Sequence, residues 1–257
     1  MPDPDHASKY YAPQGECLIA VGDVHGHLDL LNNLLCQISD RPDRRRQGRT
    51  DRLIFLGDYV DRGPNSAQVI DRLCRVQQDD PTAVFLKGNH EEMMVAFLQA
   101  GDLTKGYHWL RNGGDMTSAS YGVETPNDLD DTNALIEFRS VLATVVPDAH
   151  WRFLEGLQVS YRAGDYIFVH AGLRPGIPFA DQRDEDMIWI RDRFLHSDAD
   201  FGGCVVHGHS PSPKPDIHPN RIGLDTGSGK GGYLTAGLFW STEGSFLHAY
   251  PDRIKHQ

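Results

Sequence analysis

The chain of 257 residues carries a formal net charge of −11, with 39 % apolar and 24 % charged residues. That composition belongs to a folded domain and excludes a disordered chain, and the negative charge argues against nucleic acid or an anionic membrane surface as a partner. No run approaches the roughly 18 apolar residues of a membrane span, and MPDPDHASKYYAPQGE lacks a basic-then-apolar export signal, so a cytoplasmic protein is expected.

In chain order, CLIAV (17–21) predicts a first buried strand, and GDVHG (22–26) follows it. Leu28, Leu31, Leu35 and Ile38 then keep one face of a helix, with His27 placed to cap it. The basic run RPDRRRQGR (41–49) reads as a solvated loop. RLIFL (52–56) predicts a second strand ending in GDYVDRG (57–63), and Val69, Leu73 and Val76 mark a second helix. AVFL (83–86) predicts a third strand before GNHE (88–91). Taken alone, Asn89, His90 and Glu91 suit the start of the next helix, where acids favour the dipole, and Glu91 is assigned that role.

Residues 91–157 look mainly helical, with a loop at RNGGDMTSAS, and predict a helical insertion or cap. YIFV (166–169) precedes HAG and CVV (204–206) precedes the GHS at 208–210, with His207 read as a satisfied core histidine. RIGLD, YLTAGLFW and SFLHAY predict antiparallel additions. GSGKGG (227–232) reads as a turn, because a strand follows where a dinucleotide loop needs a helix. The scattered Cys17, Cys36, Cys74 and Cys204 form no CxxC pair and predict buried thiols in a reducing compartment. The sum is one α/β domain over 1–257, a mixed β-sandwich of two central sheets flanked by helices.

Each of the five buried runs is followed by glycine-flanked, metal-binding residue types. Side chains just beyond the carboxyl ends of strands converge on one crevice, so residues distant in sequence become neighbours. Asp23, His25, Asp58, Asn89, His170 and His209 would form a ring of oxygen and nitrogen donors without thiolate. Six ligands are too many for one tetrahedral zinc; with one bridging Asp they suit two divalent ions roughly 3.5 to 4 Å apart, the spacing used for displacement at phosphorus. Bound cations would offset part of the negative charge. No GxSxG elbow or Cys–His pair points to covalent catalysis.

In this order, GDVHG, GDYVDRG, GNHE, HAG and GH resemble the metallophosphoesterases of the phosphoprotein phosphatase superfamily, and HWLRNGG (108–114), MIWIRDRF (187–194) and LDTGS (224–228) look like its compact bacterial and phage lambda-type serine/threonine phosphatases. The resemblance covers residues 17–230 and implies the calcineurin-like metallophosphoesterase architecture. It implies that Asp23, His25 and Asp58 hold one metal and that Asp58, Asn89, His170 and His209 hold the other, with Asp58 as the bridge. His90 would be the general acid, oriented by Asp61, while Arg62 and Arg191 grip phosphate oxygens. Arg193 is read as an exposed charge. The implied metals are manganese first, then iron or zinc.

The implied reaction is hydrolysis of phosphoserine or phosphothreonine, or of a small phosphoester, by a chain for which a monomer is plausible. A diadenosine tetraphosphate hydrolase uses the same motifs and is the rival reading; a non-catalytic metal-binding scaffold is the third. The chain departs from its eukaryotic relatives in lacking their long insertions and C-terminal segments, and WIRDRF replaces their serine-aspartate-proline segment, so regulatory partners do not transfer.

Overall fold

The computed structural model describes residues 9–41 and 49–251. Strands β1 (Glu16–Val21), β2 (Thr50–Phe55) and β3 (Val84–Phe85) run parallel, joined through helices α1 (Leu28–Asp40) and α2 (Ser66–Asp79). Strands β9 (Leu234–Trp240) and β10 (Glu243–Ala249) add antiparallel on the other side of β1, giving the order β10-β9-β1-β2-β3. The second sheet, β4-β5-β6-β8-β7, comprises β4 (Ser160–Ala163), β5 (Tyr166–Val169), β6 (Cys204–His207), β7 (Asp216–Ile217) and β8 (Arg221–Gly223). The fold is α/β, two mixed five-stranded sheets flanked by helices.

Side-chain alternation explains why the sheets stack. In β1, Leu18 and Ala20 face the second sheet and pack with Tyr166, Phe168, Val206 and Ile222, while Cys17, Ile19 and Val21 face the helices. In β5, Ile167 and Val169 turn outward onto Met187 and Phe194 of α8 (Asp184–Trp189) and α9 (Asp192–Leu195). Both faces of these strands are covered, so they read as unbroken apolar runs rather than as alternating ones. The predicted site motifs follow the carboxyl ends of β1, β2, β3, β5 and β6 and share one edge of the sandwich.

Several expectations need correction. The buried face of α1 is wider than expected: Leu30 and Leu34 join Leu31 and Ile38, while Leu28 and Leu35 pack partly buried against the same core. RNGGDMTSAS is a loop only in its first half: Asn112 and Gly113 leave helical backbone geometry, with φ of 104° at Gly113, and the rest forms α5 (Asp115–Ser120). RIGLD forms β8, which pairs antiparallel with β7, as expected, and parallel with β6. Cys36 is exposed and Cys74 half-buried, whereas Cys17 and Cys204 are buried as expected. Positions 42–48 of the basic run lie outside the described residues, but Arg41 is buried and donates to Asp51 at 2.7 Å, so that end is not solvated. His27 occupies the α1 N-cap position without a side-chain capping bond. No described helix is long and apolar enough to cross a membrane.

Residues 91–157 are mainly helical, as expected: α3 (Asn89–Leu98), α4 (Leu103–Trp109), α5, α6 (Thr132–Val145) and α7 (Asp148–Glu155). They do not stand off the sheet. Phe153 of α7 packs edge-on to Tyr59 and Phe85, with centroids 5.9 and 5.1 Å away, and Phe85 stacks on Phe55 at 5.0 Å. Truncating a buried ring packed against two others leaves a cavity, so Phe153→Ala is expected to lower the free energy of unfolding by about 3 to 5 kcal/mol in urea titrations. A loss below about 1 kcal/mol would show that α7 is not anchored on the sheet.

Candidate metal centre

The turn after β2 organises the site. Asp58 has φ of 52°, a left-handed conformation costly for a residue with a Cβ. One buried carboxylate holds this turn in place: Glu91 accepts from the backbone N–H groups of Gly88 (3.0 Å), Asp58 (2.9 Å), Tyr59 (2.8 Å) and Val60 (3.2 Å). The expectation for Glu91 was a favourable charge at the start of α3. It does cap that helix, but most of its bonds go to the neighbouring loop. Burial and the nearby Asp58 charge push its carboxyl up to about 7, opposed by His90 and by the backbone N–H groups.

Asp58 lies between two groups of possible ligands. Its carboxylate clusters with His25 and His90 on one side and with His170 and His209 on the other, the ligand atoms of each group lying within 4.8 Å of one another. The tautomers of two imidazoles are set from behind. His25 Nδ1 donates to the Val60 carbonyl at 3.0 Å and His170 Nδ1 to the Leu56 carbonyl at 2.8 Å, so each turns an unprotonated Nε2 into the site. Asn89 Oδ1 stands 3.1 Å from His170 Nε2 and 2.8 Å from His209 Nδ1. Burial lowers the pKa of each ring: it drives His25 well below its usual range, lowers His170, and with His170 nearby brings His209 to about 2. For Asp58, burial favours the protonated form, but His170, His90, His25 and His209 outweigh it and hold the carboxyl low.

Asp23 sits slightly apart. Its Oδ2 accepts from the His209 backbone N–H at 2.9 Å, while Oδ1 is buried with no hydrogen-bond partner, as is His209 Nε2. Burial, Asp225 and Asp58 raise its pKa well above the usual carboxylate range. A cation beside Asp23 and Asp58 would relieve that penalty, and oxygen and imidazole donors without thiolate fit a hard or borderline divalent ion. The residues present therefore fit the metal expected from the motifs.

His90, expected as an acid rather than a ligand, has Nδ1 2.5 Å from Asp61 Oδ2. Burial would lower its pKa, but Asp58 and Asp61 raise it on balance. Arg62 spans the mouth of the site, with Nη1 2.8 Å from His25 Nε2 and Nη2 3.0 Å from His90 Nε2. Arg191 is exposed at the N-cap of α9, with its charge facing His170 and His209. Arg193 is exposed, and His207 is a buried histidine lying against Phe194, both as expected.

The sequence reading missed Trp109, Thr117, Ser228 and Gly229. Trp109 Nε1 and Thr117 Oγ1 donate to Asp61 Oδ1, and Ser228 Oγ donates to the Asp23 carbonyl at 2.6 Å. A Cβ on Gly229 would lie 2.7 Å from the His25 ring and 2.8 Å from Arg62 Cδ, so the glycine turn forms a wall of the site. HWLRNGG and LDTGS carried a resemblance in sequence, but nothing in their residue types gave a contact.

The calcineurin-like phosphoesterase family model matches residues 18–236. The chain is 28 % identical over 227 residues to serine/threonine-protein phosphatase 2 of Escherichia coli K12, covering 84 % of this chain and 89 % of that protein. It is 25 % identical over 244 residues to the bis(5'-nucleosyl)-tetraphosphatase PrpE [asymmetrical] of Oceanobacillus iheyensis, covering 85 % and 87 %. Among solved structures, one provisionally named a diadenosine tetraphosphatase superposes with a TM-score of 0.63 at 21 % identity, covering 95 % of this chain and 99 % of that one, a likeness of fold.

Glu91→Gln places an amide N–H₂ among backbone donors and removes acceptor capacity. It is expected to destabilise the metal-free protein by about 2 to 4 kcal/mol in urea titrations, the scale for breaking a buried charged network. An unchanged unfolding midpoint would show that the turn holds without this carboxylate.

Proposed function

From the premise that the chain belongs to the calcineurin-like phosphoesterase family, a metal-dependent phosphoester hydrolase, we propose that it is a serine/threonine protein phosphatase with two divalent ions, manganese first among the candidates. The observation that carries the reading is Asp58, whose carboxylate is common to both groups of possible ligands. In this reading Asp23, His25 and Asp58 hold one ion, and Asp58, Asn89, His170 and His209 the other. When bound, the ions supply a nucleophilic water at neutral pH and neutralise charge on the phosphoryl group.

The remaining roles belong to the chain's own side chains. Arg62 and Arg191 orient the phosphate by paired N–H donation, which a lysine could not reproduce in the plane. For that, Arg62 exchanges its contacts with His25 and His90 for substrate oxygens. His90 delivers its proton to the departing oxygen, and Asp61 stabilises the imidazolium. That pair favours an ester of serine or threonine, because an alkoxide leaves badly without a proton whereas a nucleotide polyphosphate leaves as a stabilised anion. The whole chain acts as one domain in this reading, in the cytoplasm, where the free thiols of Cys36, Cys74 and Cys204 would stay reduced.

Similarity to the PrpE protein supports a second reading, hydrolysis of dinucleoside polyphosphates. The two are separated by kcat/KM on a phosphoserine peptide and on diadenosine tetraphosphate with manganese-loaded protein. A ratio of at least about 10² favouring the peptide is expected, roughly 3 kcal/mol of transition-state discrimination, and the reverse preference would establish the second reading.

The ligand assignment has its own test. Asp58→Asn is expected to lower metal content from two ions toward none, whereas His209→Ala mainly weakens one site, read by elemental mass spectrometry of the dialysed protein. Two ions retained by both variants would overturn the assignment.

A further inference from the structure

Asp61 is completely buried, and its two carboxylate oxygens have different partners. Oδ2 faces His90 Nδ1 alone, at 2.5 Å. Oδ1 accepts from the Trp109 indole at 2.9 Å and from the Thr117 hydroxyl at 2.6 Å. Thr117 Oγ1 also accepts from the Asp61 backbone N–H at 2.8 Å, and Ser66 Oγ accepts from it at 3.0 Å, which fixes the residue at a φ of 75°. Trp109 and Thr117 are themselves fully buried, and the Trp109 ring is seated against Phe97 and Gly114. The kink between the Trp109 and Thr117 helices also reaches Arg62, whose backbone N–H donates to the Gly113 carbonyl at 3.1 Å.

We infer that Trp109 and Thr117 are positioning residues of the hydrolysis, acting through Asp61 to aim His90, and that the segment between residues 91 and 157 thereby contributes to the chemistry. With Oδ1 held by two donors, the carboxylate cannot rotate about its Cβ–Cγ bond to share its oxygens differently. Only Oδ2 remains for the imidazole. That fixes the Nδ1–H tautomer and the ring plane, and so the direction in which Nε2 offers its proton. Proton transfer is sensitive to this angle, and displacements of tenths of an ångström or 10 to 20° degrade a catalytic constellation. Removing either donor would leave Asp61 close to His90 but less firmly held against rotation.

The inference rests on the reading of His90 as general acid, so both are tested together. Trp109→Phe keeps a buried ring without the N–H, Thr117→Val keeps the shape without the hydroxyl, and Thr117→Ser keeps the hydroxyl. Single-turnover rates are measured on aryl phosphate monoesters of graded leaving-group pKa, with metal content and thermal midpoint recorded for each protein. For Trp109→Phe and Thr117→Val the loss is expected to reach about 10-fold on the most basic leaving group and to shrink toward unity on nitrophenyl phosphate, with KM and bound metal little changed. Thr117→Ser should restore the rate. In a His90→Asn background neither substitution should cost anything further, because the residue through which they act is gone.

A merely structural role predicts instead equal losses on every ester, scaling with the thermal midpoint and persisting beside His90→Asn; that pattern would overturn the inference while leaving the general acid intact. If His90→Asn alone lost equally on all esters, the general-acid reading would fail first, and the inference with it. Should Trp109→Phe fail to fold, the Thr117 pair decides.

Discussion

The site depends on a buried carboxylate that meets four backbone N–H groups. Glu91 joins the start of α3 to the turn after β2, so two segments separated by about thirty residues move as one. Buried N–H groups must find acceptors, and a loop that leaves a strand in a left-handed conformation cannot find them in a ladder. Glu91 supplies them. The close approach also needs Gly88, where a Cβ would lie 2.1 Å from Asp58 Oδ1. The shared Asp58 carboxylate is aimed at both imidazole pairs by these two residues, so the glycine and glutamate of GNHE serve geometry as much as its amide and imidazole serve chemistry.

Backbone strain is concentrated at the same place. Among the described residues, six non-glycine positions have positive φ, and five of them, His25, Asp58, Asp61, Arg62 and His209, are predicted site residues. Such conformations cost about 1 to 3 kcal/mol each and persist only where surrounding structure over-determines them. Here the surroundings are identifiable. The Asp58 carbonyl accepts from His25 N–H, Gly63 N–H donates to the His25 carbonyl, and Asp23 holds the His209 backbone. The sandwich core makes this affordable, since β1, β2, β5 and β6 are packed on both faces and give the turns a rigid base.

The sequence disclosed the parts of this arrangement that follow from local rules. Buried strands CLIAV and YIFV were legible because both faces are covered, and the polar residues after them were legible because strand ends converge. Strands β4 and β7 were not, because Ser160–Ala163 and Asp216–Ile217 are partly exposed edge segments without an apolar run. The stripe of α1 was read too narrowly, because a leucine-rich helix offers more apolar positions per turn than one stripe, and Leu30 and Leu34 pack on the same core. Trp109 and Thr117 were out of reach for a different reason. Their role is a contact across 48 and 56 residues, and an indole or a hydroxyl in a helix carries no sign of which buried carboxylate it will meet.

Electrostatics connect the stability of the fold to its chemistry. A carboxyl whose folded pKa is raised favours the fold below its unfolded pKa and loses that contribution as pH rises. Burial, with Asp225 and Asp58 close by, places Asp23 in this class, and burial places Asp225 there too, so at neutral pH these carboxylates oppose folding of the metal-free chain. Asp58 behaves oppositely, because imidazoles surround it. Around Asp23, burial and the carboxylates of Asp225 and Asp58 raise the pKa, and Asp58 raises that of Asp225 as well, opposed in part by Arg62. A divalent ion on the Asp23 side would supply the compensation that the side chains lack, and its binding free energy would add to folding by mass action. An apolar replacement of Asp23 would relieve the repulsion and remove a ligand together, so the same carboxylate that makes the site adverse to the bare fold is the one that gives a cation reason to bind.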